Sequence, residues 1–127
     1  MINATLTGQS ITSPFWPDNY VDYQNCTWEI NSDGVRGVRL QFTDFDFGYY
    51  CGGDYVTVYE DQAKSDTLCG RSDVNRTFTA RRTLRVVFIS DHLITEKGYR
   101  AIVSLGKQGN YLFLKFVKIY LDQAKNN

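Results

Sequence analysis

The side chains with the most chemical reach are carboxylates set beside turns. Asp54 lies in CGGDYVTVY, residues 51–59, where a Cys-Gly-Gly turn feeds an alternating aromatic and β-branched run. Asp91 follows Ser90 in FISDHL, residues 88–93. An acid such as Asp54 at a turn feeding a strand is a metal ligand, a strand-start residue that accepts backbone N–H groups, or simply solvated. On the second reading Gly52 and Gly53 supply permissive dihedrals and Asp54 bonds its own loop. Ser90, Asp91 and His92 have the composition of a nucleophile, an orienter and a base. Adjacent residues do not reach triad geometry, so no catalysis is expected. His92 and Glu96 are spaced as on one helical face, yet SDHLITEKG reads as a loop.

The cysteines are Cys26, Cys51 and Cys69, an odd number that cannot pair off within one chain. No CxxC or neighbouring Cys/His pair suggests a metal. A structural disulfide closing the loop from Cys51 to Cys69 is worth about 3 kcal/mol on a chain-entropy basis and leaves Cys26 over. Buried free thiols are the second reading. Three N-x-[ST] sequons, at Asn3, Asn25 and Asn75, join the candidate disulfide in pointing to an extracellular setting.

At 127 residues the chain suits one domain able to bury a core. Its 14 basic and 14 acidic residues leave a net charge of zero, without a long block of one sign. That excludes a broad nucleic-acid footprint and strong attraction to a membrane surface. The longest apolar segment, residues 111–121, is interrupted by Lys115 and Lys118 and does not read as a membrane span. The opening MINATLTGQS has no leader pattern, so an extracellular protein would be represented here by a fragment. Arg81, Arg82 and Arg85 form a small basic cluster that is either solvated or a contact for acidic glycans or proteins. Phe15 and Trp16, in a proline turn, either pack over a sheet edge or anchor a partner.

Nine Tyr, eight Phe and two Pro favour strands over disorder. Strand patterns cover 10–17, ending in a proline turn, then 25–30, 38–42, 55–59, 77–80, 83–90 and 98–105, with NSDGVRG as a turn. No helical pattern intervenes, so an all-β antiparallel sandwich is predicted for residues 1–105. Residues 106–127 form a tail readable as an amphipathic helix, an added edge strand or a misjoined extension.

Six motifs in order resemble a CUB domain over about residues 4–105. They are SITSPFWPDNY (10–20), NCTWEI (25–30), VRLQFTDFDF (38–47), Cys51 with DYVTVY, LCGR (68–71), and LRVVFISDHLITEKGYRAIV (84–103). The resemblance implies two antiparallel sheets in jelly-roll-like topology, and the Cys51–Cys69 bridge. It also implies a bridge from Cys26 to a cysteine near the domain start, where Met1 and Ile2 stand instead. Relatives of this kind often hold Ca²⁺ at one end of the sandwich. Two of the acidic ligand positions fall on Asp54 and Asp91. The third, a Glu, is Gly48 here, and the motif's first Tyr is Trp16. Asp44 and Asp46 share one strand face, and Asp46 reaches the site only if the strand end bends. The expected function is non-catalytic extracellular recognition of a protein, whose Lys or Arg meets the acidic loop end. The alternatives are a substrate-positioning domain of a secreted protease and a spermadhesin-like glycan binder.

Overall fold

The computed structural model describes residues 1–49, 51–71, 76–92 and 95–106. Among the described residues nine strands are present: β1 (Ile2–Asn3), β2 (Gln9–Thr12), β3 (Asn25–Asn31), β4 (Val38–Asp46), β5 (Tyr55–Glu60), β6 (Ala63–Leu68), β7 (Thr77–Ala80), β8 (Thr83–Ile89) and β9 (Gly98–Leu105). They form a five-stranded sheet in the order β1-β3-β8-β5-β6 and a four-stranded sheet in the order β2-β9-β4-β7. All pairings are antiparallel except β1 with β3. The all-β sandwich expected from the sequence is the fold.

The inward faces follow the period of two. Val56 and Val58 of β5 meet Leu84, Val86 and Phe88 of β8, and across the sandwich lie Leu40, Phe42, Ala101 and Val103, all buried. Aromatic edges lock the layer, with Phe42 against Phe45, Phe78 and Tyr99. In β4 the inward phase moves from Val38, Leu40 and Phe42 to Phe45 and Phe47. A register irregularity against β9 between Phe42 and Asp44 inserts the extra residue that makes this switch. Asp44 and Asp46 consequently share the outward face.

Two strands lie beyond the sequence reading. β1 is two residues long. β6, AKSDTL, is the edge of its sheet and buries only Leu68, so it lacks apolar alternation. It is set by the Asp61-Gln62 turn, whose residues both have positive φ, 49° and 72°. That is the twist-matching form of a two-residue hairpin.

The sandwich has two ends. One gathers 13–24 and the described parts of the connections after β4, β6 and β8, namely 47–49, 51–54, 69–71, 76, 90–92 and 95–97; the other gathers 32–37, the 61–62 turn and the 81–82 turn. The tail expectation for 106–127 lies outside the described residues beyond Gly106.

Candidate functional site

The first end carries both sequence-selected aspartates. Asp54 precedes β5 and Asp91 follows β8, and antiparallel pairing of these strands brings the two loops side by side. Asp54 is only 8% exposed. Its Oδ1 accepts the Asp91 backbone N–H at 2.8 Å, and its Oδ2 accepts the Tyr20 hydroxyl at 2.5 Å. Tyr20 is buried between Phe47 and Phe88. Burial, then the hydrogen bond to Asp54, push its phenol far above the usual range. Tyr20 stands at the last position of the SPFWPDNY motif. That placement is the signal that marks it, although the sequence alone assigned it no role.

In CGGDYV, Gly53 acts through space and not through dihedral freedom, while a Cβ on Gly52 would meet open space. Neither Gly52 nor Gly53 has a positive φ, which corrects the expectation of permissive turn dihedrals. A Cβ on Gly53 would overlap the Asp91 carboxylate. At Gly48 the φ is +83°, and a Cβ there would lie 3.3 Å from Glu96 Oε1. The Glu96 side chain, reaching from the loop before β9, thus covers the position where the resemblance expects a glutamate. This role for Glu96 had no sequence signal, because it crosses between loops.

Asp46 does not join this group. Its Oδ1 accepts the Gly48 N–H at 3.0 Å and Arg71 Nε at 3.1 Å. Asp44 takes the Thr43 hydroxyl. Ser90 is buried and structural: its hydroxyl donates to the Val21 carbonyl and accepts the Gln24 N–H. The His92 ring stacks on Tyr23 at 5.9 Å.

Ca²⁺ takes six to eight oxygens. Among the described residues no group of three or more His, Cys, Asp or Glu side chains is placed to hold a metal ion. Both Asp54 oxygens are already engaged by protein donors. Among the described residues the three-carboxylate group that the resemblance implies is therefore not assembled.

Exposed aromatic and apolar side chains lie on the connections of this end, and the Tyr23 backbone N–H donates to the Asp91 carbonyl at 3.0 Å. Phe15 is 65% exposed, Tyr23 73% and Tyr49 80%, and Val21 is exposed beside them in the 13–24 connection. Arg71 sits 4.1 Å over the Tyr49 ring. Trp16, joined to Pro17 by a cis bond, is half-buried beneath Lys97 and Arg100.

The other expected site residues lie elsewhere. Cys51 and Cys69 form the disulfide, with Cα atoms 5.2 Å apart, and tie the 47–54 loop to the end of β6. Cys26 is free and half-buried, facing the core from β3. Ile2 pairs with Ile30, four residues past Cys26, so β1 does not place Met1 and Ile2 beside it. Arg81 and Arg82 are exposed at the opposite end from Trp16, so these three do not share a surface. The backbone N–H groups of Arg81, Arg82 and Thr83 all donate to Asp61. Burial opposes ionisation of Asp61, but these donors outweigh it and hold the carboxyl below the usual range. Asn3 and Asn25 are exposed on strands, while Asn75 lies outside the described residues.

A CUB domain family model matches residues 2–102, and the chain belongs to the CUB family. Human Tolloid-like protein 1 is 30% identical over 97 residues, covering 72% of this chain and 10% of that protein. Rat cubilin is 29% identical over 93 residues, covering 70% of this chain and 3% of that protein. The extracellular region of zebrafish Gpr126/Adgrg6 aligns with a TM-score of 0.73 at 26% identity, over 83% of this chain and 14% of that chain. The MASP-1 CUB2 domain bound to Ca²⁺ has a TM-score of 0.70 at 24% identity, over 80% of this chain and 96% of that chain, a likeness of fold. The chain thus spans a tenth or less of the curated relatives named here. CUB domains are protein-interaction modules of extracellular proteins, and they are non-catalytic.

Proposed function

We propose that this domain recognises an extracellular protein through the end formed by the 13–24, 47–54 and 90–97 connections. The observation that carries the reading is that Phe15, Tyr23 and Tyr49 are exposed on connections at the same end of the sandwich as Asp54, Asp91 and Glu96. Exposed aromatics are costly to leave in water and are the side chains enriched in binding hot spots. A partner that buries them and presents a Lys or Arg to Asp91 and Glu96 matches this chemistry. The hydrogen bonds on Asp54 hold the loops in place, so recognition proceeds without calcium. The domain does no chemistry itself. Within a longer protein, its place as a substrate-positioning module of a secreted protease is the corresponding reading.

The test is binding to a panel of purified extracellular domains. Phe15→Ala and Tyr23→Ala each weaken capture of a hit by about 30-fold, the factor of a hot-spot loss of about 2 kcal/mol. Arg81→Ala with Arg82→Ala leaves it unchanged. The reverse pattern overturns the proposal. It would favour recognition at the opposite end, where the exposed Arg81 and Arg82 suit an acidic glycan and retention on heparin would be the readout.

A further inference from the structure

The outer face of the five-stranded sheet carries a polar cleft of about 410 Å³ lined by Glu29, Asn31, Gln62, Thr83 and Arg85. Its size falls in the range of small-ligand sites, ~300–1,000 Å³. Every lining side chain is a hydrogen-bonding one. Asn31 faces Thr83 across β3 and β8, and Glu29 faces Arg85. The Thr83 hydroxyl donates to Asn31 Oδ1 at 3.2 Å. Arg85 lies 4.4 Å over the Tyr59 ring, which fixes its guanidinium. Although opposite in charge and in register, Glu29 and Arg85 form no ion pair or hydrogen bond with each other. A carboxylate and a guanidinium side by side and unspent suit a neutral ligand rich in donors and acceptors.

The occupant is indicated by the neighbouring strand. Asn3 pairs with Asn31, and registered partners point to the same face, so Asn3 is exposed on the face that holds the cleft. Its backbone is fixed there by the Ala4 N–H donating to the Asn31 carbonyl at 2.8 Å. Asn3-Ala4-Thr5 is a sequon with an exposed threonine. The strand separation of about 4.8 Å leaves a sugar on Asn3 beside Asn31 and Glu29.

We propose that Asn3 carries an N-linked glycan and that the cleft seats the first N-acetylhexosamine residues of that glycan. In the transfer the Asn3 amide nitrogen bonds to the anomeric carbon of the first sugar. The sugar–phosphate bond of a lipid-pyrophosphate oligosaccharide donor breaks with its electron pair, and the amide proton leaves to the transferring enzyme's base. Arg85 then donates to the acetamido carbonyl or hydroxyls, and Glu29 accepts from hydroxyl or amide hydrogens. Covalent attachment makes this docking intramolecular, so modest contacts suffice to hold the sugar. Asn25 supplies a control. It is exposed on the same outer face at the other end of β3, about 20 Å away.

The inference rests on the extracellular reading but not on the identity of a protein partner. Its test uses the full chain secreted from a glycosylating eukaryotic host behind an added leader. The native protein is treated with a peptide N-glycosidase, and release at Asn3 and Asn25 is followed by mass spectrometry. Both sites are occupied, and Asn3 is released roughly tenfold more slowly than Asn25, the factor given by about 1.4 kcal/mol of contacts. In the variants Arg85→Ala and Glu29→Ala the two rates become equal. An unmodified Asn3, equal rates in the wild type, or a difference that persists in both variants overturns the proposal. Lost capture in the partner panel leaves this result untouched, so the two failures are distinguishable.

Discussion

Asp54 is held where it is by donors on both oxygens, one from Tyr20 and one from the Asp91 backbone. Tyr20→Phe therefore leaves a buried carboxylate oxygen without its partner. It is expected to cost about 1–3 kcal/mol, read as a lower midpoint in a denaturant melt. The phenol also gives a pH signature. Its folded-state ionisation is raised by burial and by Asp54, so its contribution to stability is full below about pH 10, the ordinary tyrosine value, and declines as pH rises further. The variant shows less alkaline loss than the wild type, and an unchanged alkaline limb would contradict this assignment. In the sequence Asp54 and Asp91 were brought together only by the family resemblance, which puts two ligand positions on them. Tyr20 and Glu96 were not, because a hydroxyl reaching across 34 residues and a side chain covering Gly48 leave no local pattern. Gly53 was read for dihedral freedom, whereas its need is space beside Asp91.

At the scale of elements, the two-residue β1 is too short to alternate, and alternation reported the longer strands with one buried face. It missed β6, whose AKSDTL faces solvent along an edge and whose position comes from the Asp61-Gln62 turn and its pairing with β5. It also placed the end of the first β4 pattern at Phe42, since the register irregularity after that residue breaks the period. The strand continues to Asp46 and delivers the 47–54 loop to the recognition end. The disulfide fastens that loop to β6. Replacing Cys51 and Cys69 together with serine is expected to cost about 3 kcal/mol in a thermal or denaturant melt. Because the loop presents Tyr49, the double variant also weakens partner capture. Full stability in the double variant would mean that hydrogen bonds alone fix the loop.

Across the whole molecule, the two ends and the outer face have separate duties. The end with Asp54, Asp91 and Glu96 offers aromatic anchors and an acidic centre. The outer face of the five-stranded sheet, with Asn3 and Asn25 exposed, is the side that sugars would cover, leaving the loop end open to a partner. The opposite end is closed by backbone N–H groups gathered on Asp61. The central claim is that the recognition end is assembled by its own side chains and needs no cation. The most direct measurement is a thermal melt of the oxidised protein in millimolar Ca²⁺ and again in chelator. The account predicts superimposable transitions, since a ligand that binds the native state raises its stability in proportion to RT ln(1 + [L]/Kd). A melting temperature that climbs with Ca²⁺, and falls back when Asp91 is changed to Asn, would contradict it and make the acidic centre a calcium site.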